Sequence, residues 1–343
     1  MSLVRTHRLA GVLLAGALLL GACGQADQLQ EISGQTMGTT WSAQFVVTAD
    51  TDTDGLREDL EAALETVNAQ MSTYREDSHL SRFNQSAAGE SLELPPEFTV
   101  VLMAALELAE ATDGAFDPTV GPLVNLWGFG PDGRRTEAPP EEELEAARER
   151  VGWQQLEFDM NTRRLTQPGE VYLDLSSIAK GFAADQLAEV LEGRGIDRYL
   201  VGIGGDMRIR GDKPGGAPWR IAIERPDPGA RDIHTVIEPV DVAMATSGSY
   251  RNFFVDGEQE YSHTIDPHTG RPVPQDLVSV TVLHDNAKMA DGLATAITAL
   301  GAEAGYRFAR EQGLTALLLV RDNDDVRERM TPEFAAYLPQ EDD

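Results

Sequence analysis

The spacing of apolar residues predicts an alternation of strands and helices. Over residues 41–47 apolar and polar residues alternate, the period of a strand with one buried face. From residue 56 apolar residues recur every three or four positions, which predicts a helix, and Asp54 is placed to cap its start. The apolar face of this helix consists of Leu56, Leu60, Leu64, Val67 and Met71.

Similar patterns continue to the end of the chain. Helices are predicted over 96–112, 141–150, 177–192, 287–300 and 302–311, and strands over 199–203, 207–210, 219–224, 278–283 and 316–320, the last of them central. Short strands are expected over 155–175, a loop over 115–133, and a hairpin turn at Asp256-Gly257. Because no repeat or low-complexity linker divides the chain, we predict a single integrated α+β domain over 34–338. We expect its mixed sheets to be flanked by helices, and a division into two lobes stays open. Residues 339–343 form a polar tail.

The N-terminus has the order of features found in an export signal. Arg5 and Arg8 precede an apolar stretch over 9–20, which is short for a membrane span and ends in Leu20-Gly21-Ala22-Cys23. Small residues before a cysteine resemble the lipobox of bacterial lipoproteins, although a plain secretory signal with an incidental cysteine is the alternative. We predict a signal peptide over 1–22, a lipidated tether over 23–33 with Cys23 as the acylated residue, and therefore a membrane-bound protein.

These features predict an exported protein on the periplasmic side of a bacterial membrane. The inner membrane is the preferred location, although Gly24, which follows the cysteine, does not by itself fix which membrane holds the protein. Cys23 is also the only cysteine, so neither an internal disulfide nor a thiolate zinc site is available.

The charge balance narrows the range of partners. The formal net charge is −29, which argues against nucleic acid as a partner, because phosphate backbones need clustered cations. Lysine occurs only at positions 180, 213 and 288, so Lys180, which lies within a candidate site, stands out.

Three segments carry residues suited to phosphate chemistry. Asp291 and Thr295 share one face of a predicted helix and offer the hard oxygen ligands that Mg²⁺ prefers, although such a pair is usually a solvated surface. The segment 173–182 leads from a strand through serines into a helix, where free N–H groups and Lys180 suit phosphate oxygens; an ordinary serine N-cap is the alternative. His263 follows a predicted strand and is suited to proton transfer, whereas a turn histidine bonded to backbone is the alternative.

The ordered set of segments resembles the FAD:protein FMN transferase family, the ApbE-type flavin transferases. The similarity covers nearly the whole chain after the signal. The matching segments are 37–39, 71–74, 81–84, 113–127, 174–182, 204–206, 246–248, 261–272 and 290–295.

The resemblance implies a role for each matched residue. Magnesium would be held by the main-chain oxygen of Ala179 and the side chains of Asp291 and Thr295, Lys180 would neutralise phosphate charge, and His263 would be catalytic. The residues expected to line the FAD site are Met37, Tyr74, Ala115, Phe116, Asp117, Ser176, Phe182 and Ile265. Three departures from the family pattern, Asp206, Thr264 and Gly292, remove no proposed ligand, and Gly292 is expected to loosen its helix.

The resemblance also implies a reaction. With Mg²⁺ on the pyrophosphate, His263 would accept the proton of a threonine or serine hydroxyl, FMN would move to that oxygen, and AMP would leave. Acceptors would be subunits of membrane electron-transport complexes or exported flavoproteins. Two alternatives remain: hydrolysis of FAD to FMN and AMP, and a lipoprotein that only binds flavin.

Overall fold

The computed structural model describes residues 27–226, 232–248, 252–257, 259–322 and 325–339. The predicted signal peptide, Cys23 and all but the first residue of the predicted tail 339–343 lie outside these ranges. Within them, no helix is long and apolar enough to cross a membrane.

Helices and strands alternate through the described residues. The helices are α1 Leu56–Met71, α2 His79–Asn84, α3 Pro96–Ala111, α4 Gly121–Leu126, α5 Glu141–Arg148, α6 Ala179–Gly193 and α7 Ala287–Glu311, with 3₁₀ turns at Trp153–Gln155 and Phe334–Tyr337. The strands are β1 Gln28–Thr36, β2 Thr39–Val47, β3 Ser91–Glu93, β4 Glu157–Asp159, β5 Arg164–Thr166, β6 Tyr199–Ile203, β7 Asp206–Arg210, β8 Ile221–Glu224, β9 Ile233–Ile237, β10 Val242–Gly248, β11 Phe253–Asp256, β12 Gln259–Ser262, β13 Ile265–Asp266, β14 Arg271–Pro272, β15 Leu277–His284, β16 Thr315–Asp322 and β17 Asp325–Met330.

Eight strands form the central sheet, in the order β1-β2-β6-β7-β10-β15-β16-β17. Successive side chains of a strand point to opposite faces, so each buried strand serves two cores. In β15, Val280 and Val282 join the main core with the apolar faces of α1, α3, α6 and α7. Val278 and Leu283 of the same strand join a second core with Trp219 and the β8–β9 hairpin. The helices therefore cover one face, and the hairpin covers the other.

The α+β class and the amphipathic pattern of α1 are confirmed, since every predicted core position of that helix is buried. The Asp54 cap is wrong: the N-cap is Gly55, whose φ of 71° suits glycine, and no side chain caps the helix. Helix α7 changes direction at Gly301, where φ is 77°, so the two predicted helices are present and joined at this kink.

Four other predictions need correction. Every strand pairing in the described residues is antiparallel, so the predicted mixed sheets are wrong. The predicted tether 23–33 is too long, because strand β1 begins at Gln28 and pairs with β2 along its whole length. The predicted loop 115–133 contains α4, and β16 lies one strand from the sheet edge because the polar strand β17 pairs beside it.

Candidate active site

Helices α6 and α7 meet at a glycine. The Gly181 N–H donates to Oδ2 of Asp291 at 3.0 Å. A Cβ at Gly181 would lie 2.2 Å from the Ala287 carbonyl oxygen and 2.8 Å from the Asp291 Cβ, so only glycine allows this approach. One turn further along α6, Asp185 accepts hydrogen bonds from the N–H groups of Ala287 and Lys288 and so caps α7. The two helices therefore run antiparallel, and the expected convergence near residues 179 and 291 is present.

An ion-pair cluster occupies this junction. The Lys180 ammonium lies 2.5 Å from Oδ2 of Asp206 and 3.7 Å from Oδ1 of Asp291. Asp206 and Asp291 are 1 % and 5 % exposed, whereas the Lys180 side chain is 38 % exposed. The lysine thus offers a positive charge on the solvent side of two buried carboxylates.

Burial and mutual charge shift the pKa values of this cluster. Burial, together with the negative charge of Asp206, raises the pKa of Asp291 to about 7, although Lys180 and the Gly181 N–H oppose the shift. For Lys180, burial lowers the pKa, but attraction to Asp206 and Asp291 outweighs it and raises the pKa above the usual lysine value. Lys180 stays charged, and a further cation beside Asp291 would favour the ionised carboxylate.

The expected magnesium ligands fit a hard cation. Thr295 lies one turn after Asp291 on α7, is half-buried, and its hydroxyl makes no hydrogen bond within the described part of the chain. Ala179 is the buried first residue of α6. The described residues contain no cluster of three or more His, Cys, Asp or Glu residues that could hold a metal. A site here would therefore need the main-chain and hydroxyl oxygens as well as Asp291.

The turns of the central sheet lie beside the cluster. Met37 and Gly38 form the two-residue turn between β1 and β2, with φ values of 48° and 71°. Two positive φ values match a type I′ turn, but Met37 lacks the freedom of glycine, and such strain is often found at functional sites. Gly204 donates to the Thr40 carbonyl at 3.0 Å, and Asp206 begins β7. Met37 and Asp206 therefore lie at the same end of the sheet.

The serine segment before α6 does not form the ordinary helix cap that was the alternative to a phosphate site. The N-cap is Ile178, and no side chain caps the helix, so a serine N-cap is wrong. Ser176 is exposed, and its N–H and hydroxyl both donate to Oδ1 of Asp174. Phe182 is buried in the main core. Since Gly181 also donates to Asp291, fewer helix-start N–H groups are free for phosphate than the sequence suggested.

The remaining expected flavin-site residues fall into buried and exposed groups. Ala115 and Phe116 are buried after α3. Asp117 accepts from the Thr119 N–H and hydroxyl and from the Trp153 N–H, and burial raises its pKa. It therefore organises its own loop. Tyr74, in contrast, is 71 % exposed and offers a free ring face for stacking.

His263 is held in an aromatic surrounding. The main-chain N–H of His263 donates to the Asn252 carbonyl at 3.1 Å. The backbone bond expected of an ordinary turn histidine is therefore present. The imidazole differs: within the described part of the chain its buried Nδ1 has no hydrogen-bond partner, and its ring meets Phe129 edge-on at 6.3 Å. Burial lowers the pKa of His263, interaction of the imidazole with the Asn252 main chain opposes this, and the charge of Lys180 lowers it further. The ring is therefore neutral and able to accept a proton at neutral pH.

The histidine segment is anchored to the α4 region. The Trp127 indole N–H donates to the Gly270 carbonyl at 2.8 Å, and buried Ile265 packs in the same core cluster as Trp127. Asp206 was noted from the sequence only as a departure from the family pattern. Its position directly after Gly204-Gly205 at a strand end is the signal that could have identified it as the partner of Lys180.

Comparisons with known proteins identify relatives of this chain. A model of the ApbE family matches residues 37–318. The FAD:protein FMN transferase of Vibrio cholerae is 44 % identical over 328 residues, covering 95 % of this chain and 98 % of the relative. The FAD:protein FMN transferase of Haemophilus influenzae is 41 % identical over 322 residues, covering 91 % of this chain and 92 % of the relative.

Solved structures give the same relationship. The flavin transferase ApbE from Vibrio cholerae has a TM-score of 0.84 at 43 % identity, covering 91 % of this chain and 100 % of that one. The apo flavinyl transferase ApbE from Pseudomonas stutzeri has a TM-score of 0.85 at 38 % identity, covering 91 % of this chain and 98 % of that one. The chain therefore belongs to the ApbE family, as the resemblance implied, and it is an enzyme of that family.

We expect Gly181→Ala to lower the free energy of unfolding by about 1–3 kcal/mol, because the added methyl group forces α6 and α7 apart. Urea denaturation measures this. Gly193→Ala, in the same helix, is the matched control, since no atom lies within 4 Å of its added Cβ. A loss for Gly181→Ala no larger than that of the control would show that the helices do not depend on this close approach.

Proposed function

We propose that the enzyme transfers FMN from FAD to a threonine or serine hydroxyl of an acceptor protein and releases AMP. The observation that carries this proposal is the convergence of Lys180, Asp206 and Asp291 at the sheet end that also holds the strained Met37 turn. Buried carboxylates and a charged lysine suit a divalent cation with a diphosphate, and the family supplies the flavin.

The histidine segment would act on the acceptor hydroxyl, and other residues would act on FAD. Neutral His263 accepts the proton of the acceptor hydroxyl. The acceptor oxygen forms a bond to the phosphorus on the FMN side, the bond from that phosphorus to the bridging oxygen breaks, and AMP leaves with that oxygen. Lys180 neutralises phosphate charge, and Tyr74 offers its exposed ring to a flat ring of FAD.

Ala179, Asp291 and Thr295 would hold the metal. Bound Mg²⁺ would neutralise charge on the pyrophosphate and polarise the reacting phosphorus. We propose that the acceptor proteins are subunits of membrane electron-transport complexes or exported flavoproteins.

Asp291→Ala should reduce transfer about 100-fold or more, because the only carboxylate among the proposed metal ligands is lost. The mature protein is incubated with FAD, Mg²⁺ and a candidate acceptor, and mass spectrometry measures covalent FMN on the acceptor. Asp50→Ala, at an exposed aspartate, is the control. Mg²⁺ should also raise the melting temperature of the wild type but not that of Asp291→Ala.

The outcomes of this assay separate the alternatives. A mass shift supports transfer, AMP without a mass shift supports hydrolysis, and neither product supports flavin binding alone. Full transfer by Asp291→Ala in the presence of Mg²⁺ would show that the assigned metal site is wrong.

The lowered pKa of His263 predicts the pH dependence. A base is active when it is deprotonated, so its active form persists to a lower pH than that of an ordinary histidine, whose pKa is 6.5. With saturating Mg²⁺ keeping Asp291 ionised, kcat/KM should fall only below about pH 6.5, and His263→Gln should lose both this limb and most of the activity. A limb centred above pH 6.5 in the wild type would contradict a base held neutral by burial.

We also propose that Cys23 is acylated and anchors the enzyme on the periplasmic side of a bacterial membrane, preferably the inner one. The support is the lipobox-like sequence before Cys23. Cys23→Ser should abolish incorporation of labelled palmitate, because the acylated residue is lost. The protein should then move to the soluble fraction, because a stable anchor needs more than one acyl chain. Retention of both label and membrane association by this variant would remove Cys23 as the anchor.

A further inference from the structure

A groove of about 970 Å³ opens beside the segment that carries His263. One wall is 259–261 in β12, and the opposite wall is 271–275. β12 ends at Ser262, one residue before His263, so this wall leads directly to the catalytic histidine. The groove therefore lies beside the strand that leads into His263.

One end of the groove is closed by a strand pairing. β13 pairs with β14, and the Val273 N–H donates to the Thr264 carbonyl at 3.0 Å. In an antiparallel pair the next N–H directed at this edge is that of Gln275, which makes no hydrogen bond to Ser262 within the described residues. The two walls separate from this point.

The β12 edge that faces the groove is unpaired. In an antiparallel pair, residues alternate between those bonded to the partner strand and those directed away from it. His263 is bonded to Asn252, so by alternation Tyr261 faces β11, whereas Glu260 and Ser262 face the opposite edge. That edge is the one on which Thr264 bonds to Val273. Among the described residues, the peptide N–H of Glu260 makes no hydrogen bond.

Aromatic contacts join the groove to the histidine. Tyr261 and Trp127, which both line the groove, have ring centroids 5.0 Å apart, and Phe254 stacks on Tyr261 at 5.2 Å. Phe129 contacts Phe254 at 5.7 Å and His263 at 6.3 Å. The β12 wall is thus packed against the same cluster that positions the catalytic ring.

We propose that this groove binds an extended segment of the acceptor protein as an added strand on the outer edge of β12. The peptide group of Glu260 pairs with the segment. This assignment rests on the transferase function proposed above.

A pair of proline variants tests the assignment. Glu260→Pro removes an N–H directed into the groove, whereas Val255→Pro removes the corresponding N–H on the outer edge of β11, since Val255 lies opposite Glu260 in the hairpin. The probe is a peptide of about 12 residues that contains the hydroxyl residue of an acceptor protein flavinylated in the mass-shift assay. Glu260→Ala controls for loss of the side chain.

Glu260→Pro should raise the KM for the peptide about three- to tenfold, the effect of one backbone hydrogen bond. Val255→Pro should leave this KM near the wild-type value, Glu260→Ala should change it less than Glu260→Pro does, and flavin fluorescence should show the same FAD affinity in all variants. Equal KM values for the two proline variants would overturn the groove assignment alone. Absence of transfer by the wild type would refute the transferase function, and the groove assignment would fall with it.

A labelling experiment gives an answer even if Glu260→Pro does not fold. Because Cys23 is the only cysteine, Glu260→Cys combined with Cys23→Ser leaves a single thiol. Saturating peptide should slow the reaction of this thiol with a maleimide, whereas a thiol at Val255→Cys should react at an unchanged rate. Equal rates for Glu260→Cys with and without the peptide would overturn the proposal.

Discussion

The site depends on the position of one ammonium group between two buried carboxylates. Lys180 can approach Asp206 and Asp291 because Gly181, the next residue, lets helix α6 lie against α7. Two carboxylates this well buried would be unstable as a pair of bare charges, and the lysine offsets that cost. The same arrangement leaves Asp291 poised between its protonated and ionised forms, so a divalent cation would alter its state with little movement of the backbone.

The central sheet fixes the remaining geometry. Asp206 is placed by the turn after β6, and Met37 by the turn between β1 and β2, so both positions follow from strand register. Asp185, one turn beyond Gly181 on α6, accepts hydrogen bonds from the start of α7. The two helices are therefore joined at two successive turns, which makes the pair rigid. Rigid support of this kind suits phosphoryl transfer, in which positioning and electrostatics account for most of the catalysis.

The sequence predicted the elements that carry a strong periodic signal and missed those that depend on distant contacts. Apolar spacing located α1, α3 and α7, and alternation located β2 and β6. β1 and β17 are polar edge strands whose identity depends on their neighbours in the sheet, so local pattern did not distinguish them from a tether or a loop. In the site, the convergence of the helices near residues 179 and 291 was predicted through the family resemblance. The part played by Asp206 required the fold, because the residue is separated from Lys180 by a whole helix and a strand.

The bond from the Trp127 indole to the Gly270 carbonyl has a consequence for how the enzyme folds. It joins residues 143 positions apart, so the histidine segment reaches its final place only after a long stretch of chain has closed. Contacts of such high sequence separation slow folding, although the entropy of loop closure grows only slowly with length. A nascent chain that has not yet emerged beyond residue 270 lacks this bond. The histidine segment therefore takes its final place late in the maturation of the protein.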